Sequence, residues 1–145
     1  MIIGIGTDII EIERIKKVLI KNTKQQFIRR ILNQSEIELY QDKMNAFNTE
    51  QLAIFIAGRW ALKEAISKCL GCGIGENCSF HDIIVSNEEK GRPLAKLKGD
   101  AKNYCLSLMK TKFNINNQKY NDFQLLVSIS HEKNYATAMA VIEAV

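Results

Sequence analysis

Proline is almost absent from this sequence of 145 residues, which contains a single one, and no uninterrupted apolar run is long enough to span a bilayer. Hydrophobic residues make up 46% of the chain and charged residues 25%, a globular composition that argues against disorder. The first apolar run has no basic segment before it and is interrupted by Asp8, unlike a signal peptide. We therefore expect one cytoplasmic domain over residues 1–145.

Cysteine is sparse, with four residues, although Cys69 and Cys72 form a C-x-x-C pair that suggests zinc. A structural zinc site needs four ligands, usually two such pairs or one pair with two histidines. Cys105 is isolated, and neither His81 nor His131 has a suitably spaced partner. We interpret the cysteines as small apolar residues of a protein in a reducing compartment, with a zinc site as the alternative.

Acidic residues are missing between Arg14 and Arg30, where the chain has seven basic residues: Arg14, Lys16, Lys17, Lys21, Lys24, Arg29 and Arg30. Such a run is either a solvated helix face or a docking surface for an acidic protein or a nucleic acid. Phe27 is the only aromatic residue within it, which argues against stacking on a single strand.

The opening stretch MIIGIGTDII alternates in a way that predicts a β-strand over residues 2–10. Asp8 shares one face of this strand with Gly4 and Gly6, whereas Ile5 and Ile9 lie on the other. A carboxylate inside an apolar strand costs several kcal/mol unless a basic side chain, a proton or a metal compensates it. Because the glycines clear the surface beside Asp8, we interpret this face as a binding site.

Capping and turn signals divide the rest of the chain into helices and strands. Ser35 is the predicted N-cap of one helix, and Asn48 with Gln51 resembles a capping box that opens the longest helix, over 49–70. The other predicted elements are helical segments in EIERIKKVLIKN, KQQFIRRIL and SEIELYQDKM, strands over 82–86 and around 93–98, a helix over 100–112, and a terminal hairpin of FQLLVSISH and YATAMAVIEA. These elements predict one α+β domain.

The terminal hairpin carries apolar residues on both faces. Ala136, Ala138 and Ala140 share one face, where another surface can approach closely, and Met139 lies on the opposite face. The long helix can cover one face only, so we expect a partner chain to cover the other. The alternative is a helix on each face within one chain.

From Leu52 onward, in LAIFIAGRWALKEAISKCLG, the long helix is apolar nearly all round, apart from four charged residues that we expect to form one band lining a cleft: Arg59, Lys63, Glu64 and Lys68. Solvent-exposed ion pairs within the helix are the alternative interpretation. Together with Asp8, Glu64 would provide two carboxylates for Mg²⁺, which shares its coordination with water and substrate phosphates. The three basic side chains, and the backbone N–H groups of the loop GCGIG, would complement a polyphosphate.

Four stretches resemble one known family: GIGTDIIEIERI, FIAGRWALKEAISKCLGCGIG, DIIVSNEEKGRP and VSISH. This family is holo-acyl-carrier-protein synthase, the bacterial 4′-phosphopantetheinyl transferase, and the resemblance runs from residue 2 to about residue 142. It implies an α+β fold with a long buried helix on a mainly antiparallel sheet. It also implies transfer of the phosphopantetheine arm of coenzyme A to a serine of apo-acyl carrier protein, releasing adenosine 3′,5′-bisphosphate. A cytoplasmic homotrimer with Mg²⁺-dependent sites at the subunit boundaries is the expected assembly.

The resemblance also implies roles for individual residues. Asp8 and Glu64 match the metal ligands, and Lys63 matches a basic residue near the pyrophosphate. The other matches are Lys68 near the pyrophosphate, Gly71 and Gly73 in the loop beside coenzyme A, Arg92 and Pro93 near the nucleotide, His131 at the phosphates, and Arg14, Lys17 and Lys21 on the helix that docks the acidic carrier protein. Either Glu64 or a metal-ordered water is the expected base.

Two features depart from the family pattern, namely Cys72, where a threonine or a small residue is common, and the stretch 111–122, which is longer than in many members. Two other function classes remain as alternatives. A Mg²⁺-dependent phosphohydrolase would use the same carboxylates with water as the nucleophile. A basic nucleic-acid-binding module would explain the charge of residues 14–30 but would leave Asp8 and Glu64 without a role.

Overall fold

The computed structural model describes residues 1–113 and 120–145. The helices are α1 (Ile12–Leu19), α2 (Lys24–Ile31), α3 (Gln34–Met44), α4 (Thr49–Leu70) and α5 (Gly99–Thr111), with a 3₁₀ turn at Phe80–Asp82. The strands are β1 (Ile2–Glu11), β2 (Ile83–Asn87), β3 (Pro93–Leu97), β4 (Phe123–His131) and β5 (Tyr135–Ala144). The predicted α+β class is confirmed, and the predicted stretch 111–122 lies partly outside the described residues.

Two antiparallel sheets form the β part of the fold. The larger sheet has the strand order β1-β5-β4, and the smaller one is the hairpin β2-β3. The terminal hairpin pairs as predicted, from Phe123 opposite Ala144 to His131 opposite Ala136. The pairing of β1 with β5 shifts between Ile2 and Gly4. Because of this shift, Ile3 is buried while Ile2 is exposed, so the simple alternation predicted for the strand fails at its first residues.

Helix α4 begins where the sequence predicts, with the side chains of Asn48 and Gln51 each accepting from the other's backbone N–H. The prediction of Ser35 as the N-cap of α3 is wrong, because Asn33 caps this helix. Asn33 forms a capping box with Glu36, in which each side chain accepts from the backbone N–H of the other residue. The motif N-x-x-E therefore outcompetes the serine two residues later.

The two glycines of β1 lie against α4 and do not face a ligand. A Cβ atom added to Gly4 would lie 2.1 Å from the carbonyl oxygen of Cys69, and one added to Gly6 would lie 2.0 Å from that of Ala65. The backbone of α4 therefore occupies the surface that the glycines clear, which corrects the expectation of a ligand there. The alanines of β5 are also buried beside α4, so a helix covers this face of the sheet.

The opposite face of the larger sheet is exposed and carries several large apolar side chains. Ile5 and Ile9 of β1 are 65% and 66% exposed, and Met139 of β5 and Leu126 of β4 are 45% and 42% exposed.

Within residues 1–113 and 120–145, none of the helices combines the length and the apolar character needed to cross a membrane.

Three aromatic rings join α2, α4 and the 3₁₀ turn. Phe27 and Trp60 are stacked with 5.9 Å between their ring centroids, and Trp60 contacts Phe80 at 5.1 Å. Offset ring pairs of this kind stabilise a contact by about 0.5–1.5 kcal/mol beyond the area they bury. The basic helix α2 is therefore held against the middle of α4.

Candidate active site

The four charged side chains of α4 that we expected to form a single band, those of Arg59, Lys63, Glu64 and Lys68, belong to two separate clusters. Arg59 and Lys63 lie one turn apart and face Glu36 of α3. Lys68 forms an ion pair with Asp8 of β1. Glu64 lies close enough to Asp8 for the negative charge of Asp8 to raise the pKa of Glu64. We call the first set, Glu36, Arg59 and Lys63, the buried cluster, and the second set, Asp8, Glu64 and Lys68, the open cluster.

In the open cluster, Lys68 compensates the charge of Asp8. Its Nζ donates to Oδ1 of Asp8 at 2.7 Å, and this hydrogen bond is the largest cause of the raised pKa of Lys68. Only 14% of the Asp8 side chain is exposed, compared with 52% of the Lys68 side chain. On β5, the hydroxyl of Thr137 donates to the backbone carbonyl of Asp8 at 2.8 Å and fixes that part of the strand.

Glu64 is the uncompensated member of the open cluster. Burial raises its pKa, and the negative charge of Asp8 raises it further. Lys68 and Arg30 act in the opposite direction but do not cancel these effects. The cluster therefore holds two neighbouring carboxylates and, in Glu64, a charge that a cation would stabilise.

The open cluster suits a divalent cation that brings most of its own ligands. Within residues 1–113 and 120–145, no group of three or more His, Cys, Asp or Glu side chains converges, so a cage made entirely of protein side chains is not available there. Mg²⁺ is usually bound by one or two carboxylates, several waters and substrate phosphates. Asp8 and Glu64 fit this requirement.

Lys63, in the buried cluster, lies away from the position predicted for it at the pyrophosphate. Its side chain is fully buried, and its Nζ donates to Oε2 of Glu36 at 2.6 Å and to the carbonyl oxygens of Ile31 and Phe80 at 2.8 and 3.0 Å. These three bonds use every N–H of the ammonium group. The structure therefore corrects the expected catalytic and coenzyme A contacts of Lys63: this side chain holds α3, α2 and the 3₁₀ turn to α4.

Arg59 completes the buried cluster with weaker geometry. Its guanidinium lies 3.9 Å from the ring centroid of Phe55 and donates to Oδ1 of Asn87 at 3.2 Å. Nε of Arg59 and Oε1 of Glu36 are 3.8 Å apart, and neither buried atom has a hydrogen-bond partner. Burial lowers the pKa of Arg59 to about 10, against the opposing effect of Glu36.

A cleft of about 710 Å³ opens beside the buried cluster and contains several residues from the sequence prediction. His131 and Pro93 line it together with Arg59, Lys43 and Phe55. Asp8, Glu64, Lys68 and Arg92 are not among its lining residues. Within one chain, the structure thus brings Pro93 and His131 together but separates them from the open cluster.

The glycine loop after α4 differs from the expected phosphate cradle. Gly71 and Gly73 both have positive φ angles, of 78° and 69°, and Gly71 is the left-handed C-cap of α4. Their backbone N–H groups donate to the carbonyl oxygens of Lys68 and Ser67 at 3.0 and 3.2 Å. These two N–H groups close the helix and are not available to a phosphate.

The basic surface around α1 is largely exposed. Arg14 and Lys17 on α1 and Lys21 after it reach solvent, whereas Lys16 pairs with Glu50 at 2.7 Å. Ile20, 74% exposed, adds an apolar side chain among these cations.

The sequence analysis missed three residues that line the cleft beside the buried cluster, namely Lys43, Phe55 and Glu36. Only Glu36 had a local signal, as the last residue of a capping motif.

Comparison with known proteins assigns this fold to a family. The sequence profile of the 4′-phosphopantetheinyl transferase superfamily matches residues 4–140. The holo-[acyl-carrier-protein] synthase of Geobacillus sp. (strain WCH70) is 39% identical over 99% of this chain and 98% of its own. That of Aliivibrio fischeri is 41% identical with the same coverage. The chain belongs to the holo-acyl-carrier-protein synthase family of 4′-phosphopantetheinyl transferases.

Solved structures of this family share the fold. The holo-(acyl-carrier-protein) synthase of Bacillus anthracis, in complex with CoA (3′,5′-ADP), superposes with a TM-score of 0.75 at 34% identity, covering 100% of this chain and 99% of its own. The Helicobacter pylori enzyme in complex with coenzyme A gives a TM-score of 0.71 at 38% identity, covering 96% and 99% of the two chains. The predicted family is confirmed, and the chain is an enzyme of this family.

Proposed function

We propose that this chain transfers the 4′-phosphopantetheine group of coenzyme A to a serine of apo-acyl carrier protein and releases adenosine 3′,5′-bisphosphate. The observation that carries the proposal is the open cluster, in which Asp8 and Glu64 meet beside Lys68. The names of the relatives and the coenzyme A complexes of two of them support the choice of substrates. We also propose a cytoplasmic location, in keeping with four free cysteines in a reducing compartment.

Asp8 and Glu64 would hold the divalent cation, Mg²⁺ in our proposal. When bound, this cation offsets the charge that develops on the pyrophosphate oxygens during phosphoryl transfer. Lys68 would exchange its contact with Asp8 for one with a phosphate oxygen, since half of its side chain is exposed.

The proton of the serine hydroxyl needs an acceptor near the phosphorus atom. As the serine oxygen forms its bond to the β-phosphorus, the bond to the oxygen that bridges the pyrophosphate breaks, and adenosine 3′,5′-bisphosphate leaves. Asp8 is paired with Lys68, which leaves Glu64 as the carboxylate of the open cluster that can take the proton. Glu64 would accept the proton directly or through an ordered water.

The nucleotide would occupy the cleft that His131 and Pro93 line, with Arg92 at its edge. The loop of Gly71 and Gly73 would adjoin the nucleotide from the subunit that supplies the open cluster. Because this cleft and the open cluster are separate within one chain, a complete site needs both from neighbouring subunits. The exposed apolar face of the larger sheet supports such an assembly, which we propose to be a homotrimer. Mixing an inactive Asp8→Asn chain with an inactive His131→Ala chain should then restore part of the activity.

An active monomer in light scattering, or no recovery in the mixed sample although mass spectrometry detects exchanged subunits, would refute the shared site. A matched control is the mixture of two Asp8→Asn preparations, which should remain inactive because every open cluster then lacks one carboxylate.

The acidic carrier protein would dock on the exposed cations Arg14, Lys17 and Lys21. Changing Arg14 and Lys17 to Glu should weaken carrier binding and remove much of its salt dependence. Coenzyme A affinity should not change, since the nucleotide cleft contains neither residue. An equal loss of both affinities would assign this surface to the nucleotide site instead.

The decisive experiment is a mass spectrum of apo-carrier protein after incubation with coenzyme A, Mg²⁺ and the enzyme. We expect the mass to increase by one phosphopantetheine group, and Asp8→Asn to abolish this increase while the folded state persists. Hydrolysis of coenzyme A without modification of the carrier would instead identify a phosphohydrolase. Near-normal Mg²⁺-dependent transfer by Asp8→Asn would refute the role of Asp8 as a metal ligand.

A further inference from the structure

The guanidinium of Arg59 lies between two side-chain oxygen atoms at the wall of the cleft and is hydrogen-bonded to one of them. Its Nη2 donates to Oδ1 of Asn87 at 3.2 Å, at the long end of the usual range. On the other side, Nε lies 3.8 Å from Oε1 of Glu36, and within residues 1–113 and 120–145 neither of these buried atoms has a hydrogen-bond partner. Buried polar atoms without a partner are rare in folded proteins, so this gap needs a physical explanation.

Glu36 cannot close the gap by turning its carboxylate. Its Oε2 accepts from Nζ of Lys63 at 2.6 Å and from the backbone N–H of Asn33 at 3.0 Å, the second bond being part of the capping box of α3. These two bonds fix the carboxylate and leave Oε1 beside Arg59. The gap can therefore close only if the guanidinium moves toward Glu36, by roughly 1 Å for an ordinary hydrogen bond.

Asn87 is the group that holds the guanidinium away from Glu36. Its own side chain is fixed, because Nδ2 donates to the carbonyl oxygen of Gly91 at 3.0 Å across the turn of the β2-β3 hairpin. The ring of Phe55 covers the guanidinium, with 3.9 Å between Cζ of Arg59 and the ring centroid. A cation–π contact tolerates displacement over the ring up to about 6 Å, so Phe55 does not prevent the movement. The bond to Asn87 would be lost in it.

The position of Arg59 leaves a buried gap in the fold but provides a cation to the cleft. Arg59 and Lys43 both line the cleft, and Nη1 of Arg59 has no hydrogen-bond partner within the described parts of the chain. In those parts, Glu36 is the single acidic residue of the cleft lining, and Lys63 already compensates its charge. The cleft therefore suits an anionic group. A closed pair with Glu36 would draw the guanidinium of Arg59 into the wall.

We propose that Asn87 is a positioning residue, which keeps Arg59 out of a closed ion pair with Glu36 and presents its guanidinium to an anionic group of the nucleotide. The identity of this ligand rests on the proposed function. The competition between Asn87 and Glu36 for Arg59 follows from the contacts themselves.

The affinity for the nucleotide product tests the proposal without a carrier protein. The full-length enzyme in its native assembly is titrated with adenosine 3′,5′-bisphosphate in a calorimeter. Asn87→Ala should weaken binding by about tenfold, the effect of losing one hydrogen bond to a charged group. Its urea midpoint should equal or exceed that of the wild type, because Arg59 and Glu36 then satisfy each other. A lower midpoint would indicate a merely structural role and would overturn the proposal.

A double-mutant cycle identifies the residue through which Asn87 acts. In an Arg59→Met background, Asn87→Ala should cause no further loss of affinity, since the cation that Asn87 positions is already absent. The same loss in both backgrounds would assign the effect to the bond with Gly91 and would refute the positioning role.

Leu94→Ala is the matched control for the hairpin. Leu94 lies on β3, is exposed and does not line the cleft, so its replacement changes the hairpin without changing a contact of Arg59. It should leave the affinity for adenosine 3′,5′-bisphosphate unchanged. A loss equal to that of Asn87→Ala would show that any change in the hairpin weakens binding, which would overturn the proposal.

A crystal structure of Asn87→Ala provides the direct readout. Nε of Arg59 should then donate to Oε1 of Glu36, with the guanidinium withdrawn from the cleft. An unchanged guanidinium would overturn the proposal, even if the affinity had fallen. A wild-type enzyme that does not bind adenosine 3′,5′-bisphosphate would refute the proposed function, whereas the structure of Asn87→Ala would still decide the role of Asn87.

Discussion

The buried and open clusters start from the same helix and contain the same kinds of side chain, yet their surroundings give them different roles. Lys63 is fully buried, and all three of its N–H groups have partners, whereas about half of the Lys68 side chain is exposed, with Asp8 as its ion-pair partner. Removing one partner of a buried ion pair is expensive because the remaining charge stays buried. A solvent-exposed side chain such as that of Lys68 can exchange its ion-pair partner at little cost. The buried cluster therefore maintains the fold, and the open cluster is available for chemistry.

The largest expected effect is that of Lys63→Met, which we compare with Lys68→Met. Lys63→Met should lower the free energy of unfolding by about 3–5 kcal/mol, because Glu36 keeps its charge in the interior with Arg59 as its remaining partner. Lys68→Met should lower it by less than Lys63→Met does, because the carboxylate of Asp8 keeps some contact with solvent. Urea denaturation followed by circular dichroism measures both values.

A double variant provides the control for this prediction. Replacing Glu36 by Leu together with Lys63→Met removes both charges of the shorter pair and should recover part of the loss seen for Lys63→Met alone. Equal losses for Lys63→Met and Lys68→Met would contradict the distinction between the clusters.

A smaller effect is expected where β1 passes α4. Gly6→Ala places a methyl group 2.0 Å from the carbonyl oxygen of Ala65, so the strand and the helix must separate. Overpacking of this kind costs about 1–3 kcal/mol, sometimes more. The separation should also move Asp8 away from Lys68 and reduce transfer, which kinetics and urea denaturation together would measure.

Gly75→Ala is the matched control for Gly6→Ala, since a Cβ atom there meets nothing within 4 Å. It should leave both stability and transfer near the wild-type values. Were Gly6→Ala as well tolerated as Gly75→Ala, the close contact between β1 and α4 would not determine the position of Asp8.

The smallest expected effect concerns Glu64 in protein freed of divalent cations by a chelator. Its raised pKa means that the folded protein binds a proton more tightly than the unfolded chain, so stability is lost as pH rises through this pKa. Glu64→Gln should therefore be more stable than the wild type at pH 7, by no more than about 1 kcal/mol. The difference should vanish in acid, where the wild-type carboxyl is protonated.

Thermal unfolding across this pH range measures the effect on Glu64, and Glu38→Gln, an exposed change outside the open cluster, is the control. A wild-type protein that is more stable than Glu64→Gln at neutral pH without cation would contradict the raised pKa.

Local patterns were sufficient to predict the elements that position the site. Alternation located β1, two successive β runs located the terminal hairpin, and the capping motif of Asn48 located the start of α4. The proximity of Asp8 and Glu64 was also predicted, because two carboxylates together suit Mg²⁺. The motifs that carry the family resemblance lie on these elements, in the same order along the chain.

The distribution of charge around α4 could not be predicted from spacing alone. Lys63 and Glu64 are consecutive, so they point about 100° apart on a helix and reach different neighbours. Glu36, the partner of Lys63, lies on another helix, and no local pattern connects the two. The prediction of a ligand beside Gly4 and Gly6 was wrong for a related reason. A missing side chain indicates that another group approaches closely, but it does not identify that group.

Trp60 is the single tryptophan of the chain, and its position makes it an intrinsic optical reporter. Its indole stands between Phe27, on the helix with the basic residues Arg29 and Arg30, and Phe80, in the turn bound by Lys63. Any movement of α2 relative to α4 changes the environment of this indole. Selective excitation of the enzyme, in the presence of a carrier protein without tryptophan, would therefore report whether the proposed docking on Arg14, Lys17 and Lys21 displaces α2, without an attached dye.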